Sequence, residues 1–128
     1  MNRYLLDTHT LLWYLELNPA LSGKAKGIIE SPDSDLFVSV VSFWEIAIKL
    51  SKGKLNVARS IEEMERQLLQ QEMEILLVSL QHVLPVQTLP FHHRDPFDRL
   101  LIAQAMTENL TLLSRDPKFA PYPINILW

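Results

Sequence analysis

Asp95-Pro96-Phe97-Asp98-Arg99-Leu100-Leu101-Ile102-Ala103-Gln104-Ala105-Met106-Thr107-Glu108-Asn109 runs straight into Leu110-Thr111-Leu112-Leu113, and this junction decides the fold class. The first stretch predicts a helix over 95–109. Asp95 offers the short side-chain acceptor of an N-cap, and Pro96 suits the first helical position, where no backbone N–H is needed. The second stretch is short, apolar and read as a buried strand. Upstream the same alternation repeats. Leu5-Leu6 is a brief strand ending at Asp7, and 10–17 has helical spacing broken by Asn18-Pro19. A second helix is predicted over 22–29, a strand over 36–38 and a helix from Ser42 to about Leu50. Lys52-Gly53-Lys54 ends that helix, glycine after a basic last turn being a stop signal. The spacing then predicts a helix over 60–71, a strand over 75–78, a short helix and loop over 85–90, and a last strand within 124–128. Strands alternating with helices give an α/β fold, a mostly parallel sheet covered on both faces. In such sheets functional groups gather beyond the carboxyl ends of the strands.

Composition narrows the class further. The 128 residues are 48% hydrophobic, with three glycines, eight prolines and no cysteine. We read 1–128 as a single domain without repeats or linkers. Lacking cysteine, it has no disulfide, thiolate zinc site or cysteine nucleophile. Glu16, Glu45 and Lys49 interrupt the most apolar stretches before they reach membrane-spanning length, and Asp7 falls too early for a signal peptide core. The expected setting is the cytoplasm, away from membranes. Fifteen acids against twelve bases give a net charge of −3, which argues against a simple polycation that grips nucleic acid by overall charge.

Four acids fall at element junctions. Asp7 ends the first strand, Glu45 and Asp98 lie in the first turns of predicted helices, and Asp116 follows the strand 110–113. Carboxylates held together repel one another unless a cation joins them, and Mg²⁺ or Mn²⁺ suits an oxygen donor set. Each acid also has a structural reading. Ser42-Phe43-Trp44-Glu45 has the spacing of a capping box, Asp95 and Asp98 flank a helix start, and Asp116-Pro117 is a cap followed by proline. Asp7 has no such signature after it, so it is the acid most suggestive of function. The two readings are compatible, because a helix N-terminus favours an ionised carboxylate.

Taken in order, Leu5-Leu6-Asp7-Thr8-His9, Ser42-Phe43-Trp44-Glu45-Ile46, the string from Arg94 to Ala105 and Leu112-Leu113-Ser114-Arg115-Asp116 resemble a PIN-domain ribonuclease. The VapC-type toxins of type II toxin–antitoxin systems offer the best likeness, which runs from Asp7 to Phe119. The resemblance implies a PIN-like three-layer α/β/α sandwich and metal-dependent hydrolysis of RNA phosphodiesters, an endoribonuclease activity. Its catalytic and metal-binding acids would be Asp7, Glu45, Asp98 and Asp116, binding Mg²⁺ or Mn²⁺. Asp95, Ser114 and Thr8 would be supporting residues, with Asp95 read either as a ligand or only as a helix cap. His9 stands where many relatives carry Ser or Asn. The resemblance further implies a small antitoxin partner and a homodimer.

Lys49, Lys52, Lys54 and Arg59 form an acid-free stretch that can track an RNA backbone or simply solvate a helix end. Arg99 and Arg115 neighbour the acids and suit phosphate binding or charge balance. His92-His93 is read as structural loop, because adjacent residues do not share a helix face. Trp13, Tyr14, Phe43 and Trp44 are read mainly as core. Two other activities compete. Asp7-Thr8-His9-Thr10 approaches the motif of haloacid-dehalogenase-like phosphatases, but His9 replaces their second acid. A receiver-type signalling module needs paired early acids, and only Asp7 is present. A catalytically silent PIN-like protein-binding module is a further alternative. Setting the four junction acids aside leaves eleven acids against twelve bases, so the acidity is concentrated in the expected site.

Overall fold

Alternate side chains of each strand leave the sheet on opposite faces, and in this chain that alternation splits the core in two. The computed structural model describes residues 2–128. Its strands are β1 (Arg3–Leu6), β2 (Asp35–Ser39), β3 (Glu74–Leu76), β4 (Thr111–Leu113) and β5 (Ile126–Leu127). They form one sheet in the order β3-β2-β1-β4-β5, with every neighbouring pair parallel. The helices are α1 (Thr8–Leu15), α2 (Gly23–Glu30), α3 (Val40–Ser51), α4 (Ile61–Gln70), α5 (Leu80–Val83) and α6 (Pro96–Glu108).

Leu6, Val38 and Leu113 face one cluster with Leu11, Leu15, Ile29, Met64 and Leu68, from α1, α2 and α4. Their sequence neighbours Leu5, Phe37 and Leu112 face the other, with Leu101, Ile102 and Ala105 of α6 and with Phe119. The result is the three-layer α/β/α sandwich expected. A one-residue slip in register would exchange the two faces, so burying large aliphatic side chains, at roughly 1.5–3 kcal/mol each, pins the register.

The elements match the predicted order, with instructive shifts at their edges. α1 begins at Thr8 instead of residue 10, because Asp7 is its N-cap and accepts from Thr10 N–H at 2.8 Å. The expectation that no cap follows from Asp7 is therefore corrected. α3 begins at Val40, capped by Ser39, whose Oγ accepts from Val41 N–H at 3.0 Å. The predicted capping box from Ser42 to Glu45 does not form; those residues already lie inside the helix. The helix thus starts two residues before the predicted Ser42, at two β-branched valines whose local preference the Ser39 cap overrides. The stretch 85–90 is the end of a longer turn, α5 running into a 3₁₀ segment Leu84–Thr88. Gly53 closes α3 with φ 66°, a left-handed conformation that suits glycine, as the stop signal implied.

The strand order also places the site. From β1 the chain moves outward through β2 to β3, then returns to the other edge of β1 as β4. The carboxyl ends of β1 and β4 thus lie side by side at the reversal of strand order, where open parallel sheets form their crevices. Asp7 N–H donates to Leu113 O across this junction at 3.3 Å.

Candidate active site

Asp7 leaves the end of β1 and turns back over it. Its Oδ1 caps α1, and its Oδ2 accepts from Ser114 Oγ at 2.5 Å. Ser114 in turn accepts from Asp116 N–H at 3.0 Å, so one hydroxyl ties the ends of β1 and β4 together. Burial pushes the Asp7 carboxyl above the ordinary carboxylate range, opposed by the hydrogen bonds from Ser114 and Thr10. Thr8, at the first position of α1, donates to Ser42 Oγ at 3.0 Å and joins α1 to α3. Thr8 is thus a buried strut between the two helices.

Glu45 enters from the second turn of α3. Its Oε2 meets Lys49 Nζ at 2.7 Å, one turn further along the helix. Its Oε1 is buried and has no hydrogen-bond partner. Asp98 sits in the first turn of α6, with its N–H held by Asp95 Oδ1 at 3.1 Å; the same oxygen accepts from Phe97 N–H at 2.8 Å. Asp95 is therefore the N-cap that the sequence indicated. Asp116 caps a short 3₁₀ turn, Pro117–Phe119, through its Oδ1.

These acids share one electrostatic neighbourhood. Asp98 is pushed up to about 8, first by burial and then by the negative charges of Asp95, Glu45, Asp7 and Asp116. An unpartnered buried Glu45 oxygen and a carboxyl forced toward its protonated form are signs of a missing positive charge. Hard oxygen donors crowded in this way fit a divalent cation such as Mg²⁺ or Mn²⁺.

The sequence profile of the PIN domain matches residues 4–124. The chain belongs to the PIN domain family. No curated protein matches the sequence. Among solved structures, a chain of VapBC2 from Rickettsia felis, bound to a DNA fragment from their promoter, superposes with TM-score 0.70 at 17% identity. That match covers 98% of this chain and 97% of the other. A chain of a toxin–antitoxin complex from Klebsiella pneumoniae gives TM-score 0.66 at 19% identity, covering 98% and 96%. FitAcB from Neisseria gonorrhoeae gives 0.66 at 16%, with the same two coverages. At these identities the likeness is one of fold.

Within this PIN chain, several residues expected near the site have other employment. Arg99, expected to contact RNA, is buried and its guanidinium donates to the carbonyls of Val86, Leu89, Pro90 and His93 at 2.9–3.3 Å. It fastens the loop ahead of α6, because five fixed donors can satisfy several buried carbonyls at once. Arg59 donates to Leu15 O at the end of α1, so it also leaves the expected RNA-tracking stretch. Lys52 is exposed at the C-terminal end of α3, about 10 Å along the helix axis from Glu45. Arg115 is an exposed cation beside the acids and lies over the Trp13 ring at 4.6 Å. Both line a cleft of about 270 Å³ with Asp7, His9, Asp116 and Pro117. Trp13 and Trp44 correct the core reading. Trp13 borders that cleft, and Trp44 is 55% exposed, edge-on to Phe97.

His93 is the residue that sequence reasoning missed. Beside His92 it reads as structural loop, yet its Nε2 lies 3.1 Å from both Asp98 Oδ2 and Asp116 Oδ2. Nothing local marks it; only its place two residues before a helix cap hints at the junction.

Proposed function

We propose that this PIN chain is a divalent-cation-dependent endoribonuclease and the toxin of a toxin–antitoxin pair, with 1–128 acting as one domain. The observation that supports the reading is the shared electrostatic neighbourhood of Asp7, Glu45, Asp98 and Asp116: the charges of the other acids help raise Asp98, and one buried Glu45 oxygen has no hydrogen-bond partner. These four acids would hold Mg²⁺ or Mn²⁺. When bound, the cation neutralises a phosphodiester and acidifies a water molecule. The chain's own residues do the rest. Ser114 and the N-terminus of α1 hold Asp7 in one orientation, and Asp95 holds the first turn of α6 in place for Asp98. Asp116, one-third exposed at the rim, would accept the proton of the attacking water. Arg115 would grip phosphate from the cleft, and Lys49, half-exposed on Glu45, would add positive charge at the edge. Such hydrolysis needs no 2′-hydroxyl nucleophile, so preference for RNA rests on binding.

The structural neighbours support the toxin reading by fold. A small antitoxin would cover the chain, and a second copy would form a homodimer. Supporting a partner surface, Leu77, Leu80, Leu84 and Phe91 are all more than half exposed along one stretch of chain. Among the described residues, no helix is long and apolar enough to cross a membrane.

The test is direct. Labelled RNA incubated with purified chain should be cut internally in Mg²⁺ or Mn²⁺ and remain whole in EDTA. Asp7→Asn and Asp98→Asn should each lower the rate at least 100-fold with circular dichroism unchanged. Wild-type rates in either variant would overturn the site, and metal-independent cutting would overturn the mechanism. Expression should arrest growth, and co-expression of the adjacent small gene should relieve it; unrelieved arrest would remove the toxin–antitoxin assignment.

A further inference from the structure

His93 is held in place at every polar atom. Its N–H donates to Tyr122 Oη at 2.7 Å, and its carbonyl accepts from Arg99 Nη1 at 3.1 Å. Its ring, 5.1 Å from that of Phe119, belongs to a residue only 5% exposed. The ring nitrogens then divide their roles. Nδ1 faces the N–H of Asp95 at 3.3 Å. A backbone N–H can only donate, so Nδ1 must present its lone pair, and the ring proton sits on Nε2. That N–H bonds Asp116 Oδ2 at 3.1 Å, with Asp98 Oδ2 at the same distance.

His93, Asp98 and Asp116 have the composition of a nitrogen–oxygen metal triad, their candidate ligand atoms lying within 4.8 Å of one another. The hydrogen-bond pattern argues against the imidazole as a ligand. A metal-binding histidine offers a bare nitrogen to the ion and donates from the other nitrogen to an acceptor. Here Nδ1 accepts, leaving Nε2 as the donor. We propose that His93 is a positioning residue: its Nε2–H tethers the Asp116 carboxylate beside that of Asp98, holding two acids of the cation site in register without coordinating the cation. The tether joins the loop before α6 to the loop after β4, two segments with no backbone hydrogen bond between the residues concerned. Asp116 is then fixed at both oxygens, by Lys118 N–H on Oδ1 and by His93 on Oδ2.

The inference rests on the cation-site reading above, and its test separates the two. Mn²⁺ alone is titrated into the full chain, and uptake is read from loss of the free-ion electron paramagnetic resonance signal. His93→Gln retains an N–H donor at similar reach, whereas His93→Leu has similar bulk and no donor. Uptake by His93→Gln should fall within about threefold of wild type, and by His93→Leu at least tenfold below it. In the metal-free wild type, ¹⁵N NMR of the imidazole should find the proton on Nε2, a readout independent of any ion and of variant folding. With Mn²⁺ bound, electron spin-echo modulation should lack the strong coupling of a directly bonded imidazole nitrogen. A proton on Nδ1, a directly bonded nitrogen or wild-type uptake by His93→Leu would each overturn the proposal. Failure of the wild type to take up Mn²⁺ would overturn the cation site itself and the tether's purpose with it.

Discussion

Asp98 shows how a single residue carries both a structural and a chemical role. In the first turn of α6 it meets the positive end of the helix, yet four acidic neighbours and burial outweigh that favourable field and raise it to about 8. A carboxyl raised above its unfolded value of 3.8 holds its proton in the folded state after the unfolded chain has released it. Its contribution to stability is therefore full below that value and is lost as the pH climbs toward about 8. Urea unfolding in EDTA should show the wild type losing more stability between pH 5 and pH 8 than Asp98→Asn, and Mg²⁺ should restore the loss in the wild type alone. Parallel pH profiles would show that crowding at Asp98 is not the cause. The residue types of this cluster were legible, since Asp7, Glu45, Asp98 and Asp116 all stand at predicted junctions. Their second roles were less so. The cap on Asp7 escaped because Thr8-His9-Thr10 shows no apolar periodicity, although its backbone N–H groups serve a cap well.

At the scale of elements, α6 and the loop before it form one unit. Arg99 projects from the helix into that loop, binds four of its carbonyls and meets the Phe91 ring at 4.0 Å. The other end of the helix is pinned as well, with His82 Nε2 of α5 at 2.7 Å from Glu108 Oε2. Arg99→Met keeps much of the aliphatic stem and removes every donor, leaving buried carbonyls unpaired at a cost on the order of 3 kcal/mol. Chemical denaturation should register that loss, and Mn²⁺ uptake should weaken too, because the same loop carries His93. A variant as stable as wild type would show that water satisfies these carbonyls instead. The helix was legible from its capping residues and length. Arg99's inward direction was not, since arginine beside acids reads first as a phosphate contact.

Across the whole molecule, the charge pattern matters more than its total. The net charge is −3, yet two of the fifteen acids, Asp7 and Asp116, line the cleft, and Glu45 and Asp98 belong with them to the cation site proposed for a polyanion's phosphate. Without a cation that crevice repels phosphate. Filter binding should therefore retain a short RNA at least tenfold better in Ca²⁺, another cation that favours oxygen ligands, than in EDTA; equal retention would place the RNA surface elsewhere. The exposed apolar stretch from Leu77 to Phe91 makes an assembly prediction: light scattering should give twice the chain mass of 14.8 kDa, falling to one copy in Leu80→Glu. A monomeric wild type would remove the dimer. By itself the sequence determined the order and kind of the elements, the split of its apolar residues between two faces and the acids at their ends. Those properties depend on neighbours a few residues away, through alternation, helical spacing and capping. The tertiary structure alone brings His93 against Asp98 and Asp116, sets Asp7 and Glu45 in the same electrostatic neighbourhood, turns Arg99 inward while Arg115 stays exposed, and caps α3 with Ser39 instead of Ser42. Those outcomes depend on strand order and on competition for buried hydrogen bonds, which no local stretch of chain encodes.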